Sequence, residues 1–133
     1  MNTSIIILGS NIEPQKNICL AKRLVSERFR IVSESRFLRT KPIGLVNQPD
    51  FINGALLIET ELERGLFALN LKQIEYRMGR IKDISLKYGP RIIDIDILAW
   101  NDQVINRDFY EREFVRDFVW EVTPAIQYYW SFF

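Results

Sequence analysis

A chain of 133 residues is the size of one domain, expected to span 1–133, and at that length about two thirds of the unfolded surface can be buried without a disulfide staple. Eighteen basic against seventeen acidic side chains leave a net charge of +1 with no bulk field for nucleic acid, and the lack of histidine excludes imidazole acid–base catalysis and the usual zinc enzymes. The single cysteine closes no internal disulfide, and no apolar run approaches the roughly 18 residues needed to span a bilayer, so a soluble protein of the cytoplasm with no membrane partner is expected.

In chain order, Ser4 to Leu8 reads as a short buried strand and Gly9-Ser10-Asn11 as a turn. Pro14 suits the first turn of a helix whose apolar positions Ile18, Ala21, Leu24, Val25 and Phe29 keep a helical period. Cys19 lies in that helix and is expected as a buried, inert thiol. Ile31 to Thr40 reads as a second strand, ended by Lys41-Pro42-Ile43-Gly44, and Phe51 to Thr60 as a third. Leu62 to Met78 has the pattern of a second helix, with Leu62, Leu66, Leu69 and Ile74 as its inward candidates. A fourth strand, Arg91 to Leu98, is entered through Tyr88-Gly89-Pro90, and a last helix through Phe114, Val115, Phe118 and Val119 stops near Thr123-Pro124. This β-α-β-β-α-β order followed by a helix predicts an α+β fold, a ferredoxin-like α/β sandwich with helices packed on one face of an antiparallel sheet. Two connections have the length and composition of binding loops, Thr40 to Phe51 and the basic stretch Gly79 to Gly89.

The fourth strand carries the chemistry. Side chains alternate across a strand, so Asp94 and Asp96 share one face while Ile93, Ile95 and Ile97 take the other, with the two aspartate Cα atoms roughly 6–7 Å apart. Two like charges at that range call for a cation, and Mg²⁺ held by one or two carboxylates and completed by phosphate oxygens answers the need. Arg91 and the preceding Arg77, Arg80, Lys82 and Lys87 form a local basic interval able to receive a polyphosphate. The alternatives are an edge strand whose aspartates face water and a solvated loop of mixed charge.

The ordered blocks Leu8-Gly9-Ser10-Asn11, Phe37-Leu38-Arg39-Thr40-Lys41-Pro42-Ile43-Gly44, Gln48-Pro49-Asp50-Phe51-Ile52-Asn53, Gly79-Arg80, and Tyr88 through Ile97 resemble the 6-hydroxymethyl-7,8-dihydropterin pyrophosphokinase family. Val104-Ile105-Asn106, Arg112-Glu113-Phe114-Val115 and Glu121-Val122-Thr123-Pro124 have counterparts in the same order, so the similarity runs from about residue 4 to 124. The resemblance implies transfer of pyrophosphate from ATP, as co-substrate, to the pterin hydroxymethyl oxygen, releasing AMP in folate biosynthesis. It implies two Mg²⁺ ions on Asp94 and Asp96, and a pterin pocket of Thr40, Ile43, Phe51, Asn53 and Phe114. Arg80, Arg91 and Arg112 would contact ATP phosphates, Arg80 and Arg91 with a catalytic part, and Glu75 and Lys82 would lie with the nucleotide. Small molecules are then the partners, on a monomer or homodimer that binds no nucleic acid.

The match also departs from the family. Only five residues separate Asn106 from Arg112, where the family carries a longer segment with a strand and a Pro-His pair. Lys72 stands where glutamine is common, Lys41 where proline is common, and the aromatic stretch Tyr128 to Phe133 replaces the usual C-terminal strand and helix. The expectation is a shortened member of the family, active with a trimmed nucleotide site. The alternative is a catalytically degenerate or repurposed homologue that binds pterin or nucleotide. An RNA-binding ferredoxin-like module is disfavoured by the neutral charge balance.

Overall fold

The computed structural model describes residues 1–42, 47–79 and 91–123. Strand β1 (Asn2–Ser10) is followed by helix α1 (Pro14–Arg28), β2 (Arg30–Glu34), β3 (Leu38–Thr40), β4 (Phe51–Thr60), α2 (Arg64–Arg77), β5 (Asp94–Trp100), β6 (Gln103–Val104), α3 (Asp108–Glu111) and α4 (Glu113–Val122). The strands form one antiparallel sheet in the order β2-β4-β1-β5-β6, with β3 also on β4, which is the ferredoxin-like arrangement expected from the sequence.

Helices cover both faces of this sheet and not one face as expected, because the last helix packs its apolar stripe on the side that α1 and α2 leave open. Ile18, Ala21, Leu24 and Val25 of α1 and Phe67, Leu71 and Ile74 of α2 pack with Ile6, Leu8, Leu56, Ile58, Ile93 and Ile95 on one side. Phe109 and the α4 residues Val115, Phe118, Val119 and Val122 pack with Ile5, Ala55, Leu57, Leu98 and Ala99 on the other. The period-two alternation of β1 and β4 divides the residues between the two cores, as a sheet buried on both faces requires. In β5 the register shifts opposite Ile5 and Ile6, a bulge that puts the successive residues Leu98 and Ala99 into the same core and returns Trp100 to the first. The bulge lies beyond the aspartates, so Asp94 and Asp96 keep the strict alternation and share the α4 face, opposite Ile95.

Several local expectations are corrected. The single strand expected over Ile31 to Thr40 is two, because Ser35 interrupts it: its N–H donates to the Ala55 carbonyl (2.9 Å), while its Oγ accepts from Ala55 N–H (2.8 Å) in place of a ladder bond. Gly9 and Ser10 belong to β1 and not to a turn. The fourth strand begins at Asp94 and runs to Trp100, later at both ends than expected. On α2 the inward stripe is Phe67, Leu71 and Ile74 with Glu75, whereas Leu66 and Leu69 are 47% and 53% exposed. Cys19 is exposed rather than buried. The short stretch between Asn106 and Arg112 folds as the single helical turn α3, with Asn106 Oδ1 accepting from Asp108 N–H (2.9 Å).

Glycine closes α2: Gly79, with φ +86°, takes the left-handed conformation, and its N–H donates to the Tyr76 carbonyl at 3.0 Å. The expected basic loop beyond it, with Arg80 and Lys82, lies outside the described residues, as do Ile43 and the aromatic stretch after Thr123. Among the described residues no helix is long and apolar enough to cross a membrane.

Candidate functional site

The end of β1, the start of β4 and the start of β5 lie side by side because both neighbours run antiparallel to β1. Asn53 of β4 pairs with Gly9, and Gly9 pairs with Asp94; one step along, Ala55 pairs with Ile7 and Ile7 with Asp96. Leu38 and Thr40 of β3 pair with Asn53 and Phe51. Alternation puts Thr40, Phe51, Asn53, Gly9, Asp94 and Asp96 on one face, the face that α4 covers. Phe114, in the first turn of α4, packs at the margin of that same core with Ile7 and Leu38.

Asn53 is nearly buried and its Nδ2 donates to Thr40 Oγ1 at 2.5 Å. The bond locks the amide across β3 and β4, and it is possible because residue 9 is glycine: a Cβ there would collide with Asn53 Oδ1 and stand 3.9 Å from the Phe51 ring. Phe114 is set edge-on to Phe118 with ring centroids 5.6 Å apart, and the Arg112 guanidinium lies 5.4 Å from the Phe114 centroid. That stacking fixes the entrance to α4 and holds a cation next to an aromatic face.

Asn11, only 3% exposed, ties three segments together. Its Nδ2 donates to Gln48 Oε1 (2.8 Å) and to the Pro49 carbonyl (3.0 Å), its Oδ1 accepts from Arg91 N–H (2.8 Å), and its own N–H donates to the Arg91 carbonyl (3.1 Å). The sequence marks Asn11 as a turn residue; its work is to hold the stretch before β4 and the stretch before β5 against the end of β1. Small polar identity at the end of a buried strand was the available signal, and it did not distinguish this role from an ordinary turn.

The carboxylates form the electrostatic centre. Burial pushes the Asp96 carboxyl up to about 7, helped by the charge of Asp94, by a hydrogen bond with Asp94 and by the charge of Glu75, with Lys72 acting the other way. Glu75 enters from α2, 3% exposed, where its Oε2 accepts from Ile95 N–H at 2.8 Å and its Oε1 pairs with Lys72 Nζ at 3.2 Å. The Ile95 N–H points to the side of β5 away from β1, beyond the reach of β6, which pairs only with Ala99 and Trp100. Among the described residues, a helix carboxylate therefore stands where a ladder partner would.

Two aspartates that repel each other in a largely buried site suit a hard divalent cation. Among the described residues no group of three or more His, Cys, Asp or Glu side chains is arranged to hold a metal alone. This donor set matches an ion that takes one or two carboxylates and completes its shell with phosphate oxygens and water. Thr40, Phe51, Asn53, Phe114, Asp94 and Asp96 thus share one face, with Arg112 beside Phe114; Arg91 reaches the site's edge by its backbone bonds to Asn11, and Glu75 supports β5 from the opposite layer.

Residues 5–124 match the family model described as 7,8-dihydro-6-hydroxymethylpterin-pyrophosphokinase. The 2-amino-4-hydroxy-6-hydroxymethyldihydropteridine pyrophosphokinase of Haemophilus influenzae is 33% identical over an alignment of 126 positions, gaps included, that covers 86% of this chain and 78% of the relative. The protein of that name from Methylorubrum extorquens is 34% identical over an alignment of 134 positions, gaps included, that covers 96% of this chain and 82% of the relative. A folate synthesis bifunctional protein of Arabidopsis thaliana is 35% identical over 121 residues, covering 86% of this chain but 25% of the longer relative.

Proposed function

We infer that the chain, because it belongs to the 7,8-dihydro-6-hydroxymethylpterin-pyrophosphokinase family, transfers the terminal diphosphate of ATP to 6-hydroxymethyl-7,8-dihydropterin in folate synthesis and releases AMP. The observation that carries this reading is the single row Asn53, Gly9, Asp94 across three adjacent strands, which brings an amide suited to a heterocycle edge next to the carboxylate pair. Its substrates are small molecules, and residues 1–133 act as one domain.

Asn53, braced by Thr40, presents donor and acceptor in one plane, as recognition of a pterin edge demands. Phe51 and Phe114, with Ile43, supply apolar surface for the flat ring. Asp94 and Asp96 would hold Mg²⁺, two ions in the full complex, which when bound neutralises phosphate charge and aligns the hydroxymethyl oxygen with the β-phosphorus. Arg91 and Arg112, with Arg80 and Lys82, take the phosphate oxygens, and Glu75 fixes the strand that carries the aspartates. The hydroxymethyl oxygen forms the new bond to the β-phosphorus as the bond to the AMP oxygen breaks, and the hydroxyl proton passes to solvent or to a site carboxylate. Transfer of this kind demands positioning and charge neutralisation rather than a nucleophilic side chain, which fits a site without histidine.

The test is to incubate the purified protein with MgATP and the dihydropterin and to quantify AMP and the pterin diphosphate. Equal amounts of the two, reduced to background by Asp94→Ala/Asp96→Ala in a protein that still unfolds cooperatively, are expected. Pterin binding without AMP release would overturn the reading.

A further inference from the structure

Glu75 from α2 meets β5 at the Ile95 N–H, between Asp94 and Asp96 in sequence, and the charges of Asp94 and Glu75 each raise the cost of ionising Asp96. Lys72 stands one helical turn before Glu75, and its ammonium pairs with Glu75 Oε1 at 3.2 Å while Glu75 Oε2 remains on Ile95 N–H. Its side chain is 52% exposed, so the charge sits at the lip of the cluster on a flexible stem, and it acts on Asp96 with the opposite sign to the carboxylates. An ammonium has three N–H donors, and the pair with Glu75 uses one of them.

We propose that Lys72 is a resident counter-ion of this cluster, so that a free divalent cation binds weakly and is held well only when it arrives with the nucleotide. The proposal rests on the reading of Asp94 and Asp96 as cation-holding residues. A bare divalent cation entering beside the aspartates meets the repulsion of the ammonium already there. A triphosphate-bound cation brings net negative charge, and the same ammonium then attracts it. One side chain therefore penalises the bare ion and favours the ion–nucleotide complex, which is a coupling free energy between two ligands with opposite charge. Because the stem is long and the helix already anchors Glu75, the ammonium can turn from the carboxylate toward a phosphate without any backbone movement.

Binding of Mn²⁺ alone, followed by electron paramagnetic resonance, and of the Mg²⁺ complex of a non-hydrolysable ATP analogue, followed by calorimetry, separates the two effects. In Lys72→Met the free Mn²⁺ affinity should rise, because removing a positive charge from beside the carboxylates removes its repulsion of the divalent ion. The affinity for the nucleotide complex should fall, so the two ligands move in opposite directions, a pattern that loosened packing does not produce. Lys72→Gln should follow Lys72→Met, and Lys72→Arg should keep the wild-type values; far-UV circular dichroism checks that each variant is folded. Unchanged or weaker Mn²⁺ binding in both neutral variants would overturn the proposal even where the wild-type protein forms the pterin diphosphate. A wild-type protein that forms no product would sink the functional reading, while the Mn²⁺ titrations still decide the role of Lys72.

Discussion

At residue 9 the absence of a side chain is what the site requires. The strand pairing puts Gly9 between Asn53 and Asp94, and the Asn53 carboxamide occupies the space that a Cβ would take. Gly9→Ala therefore cannot be accommodated by a flexible neighbour, because Asn53 is tied to Thr40 and flanked by Phe51. The substitution should cost about 1–3 kcal/mol of stability from overpacking. Dihydropterin affinity should fall by more than the stability loss alone explains, since the amide leaves the plane set by Thr40. Chemical denaturation and pterin titration of the same variant check this, and a Gly9→Ala protein with wild-type pterin affinity would show that Asn53 does not read the ring.

At the scale of the element, no strand among the described residues pairs with the outer edge of β5 before its bulge, and Glu75 bonds to that edge at Ile95. A buried backbone N–H deprived of its acceptor costs about 1–3 kcal/mol, so Glu75→Leu should lower stability by that order despite adding apolar volume. Amide exchange at Ile95 should accelerate far more than at Leu8, the residue opposite it on β1, if the carboxylate is the edge partner. Equal protection at Ile95 in both proteins would assign that N–H to another acceptor. The same element shows what the sequence reveals. Asp94 and Asp96 on one face of an apolar strand were legible because a strand period of two leaves no freedom, and the bulge that breaks the period comes after them. On α2 the helical pattern was legible but its inward face was not. Leucines at 62, 66 and 69 compete with Phe67 and Leu71, and the sheet accepts the stripe in which Phe67 stacks against Phe29 and Trp100, 4.9 and 5.4 Å away. Glu75 is buried because that rotation carries it inward, where the unpaired N–H of β5 stabilises it, a circumstance set by tertiary pairing and absent from local sequence. The division of the second strand at Ser35 is hidden for the same reason, since a serine hydroxyl replaces a ladder acceptor only once Ala55 is opposite it.

Over the whole molecule, the buried Asp96 carboxyl makes folding depend on pH. The Asp96 carboxyl titrates near 7 in the folded chain and close to 3.9 when unfolded, so between those values the native state holds a proton that the unfolded state has lost. Its contribution to stability is therefore complete below about pH 4 and is lost as pH rises through about 7, the opposite of an acidic group held by a salt bridge. Glu121, held below the usual carboxylate range by its hydrogen bond and pairing with Arg36, works the other way and is lost as pH falls. A single melting curve mixes the two, and the difference between wild-type and Asp96→Asn isolates the first. Without divalent cation, Asp96→Asn should melt above wild-type at pH 8, and that advantage should shrink toward zero as pH falls to about 4, where both side chains are uncharged. Saturating Mg²⁺ with nucleotide at pH 8 should reverse the order, because only the wild-type carboxylate gains a cation and a ligand that binds the folded state alone raises its stability by mass action. A melting difference that stays constant across pH, or does not respond to the cation, would mean that Asp96 is not held under the strain that the buried, mutually repelling carboxylates impose.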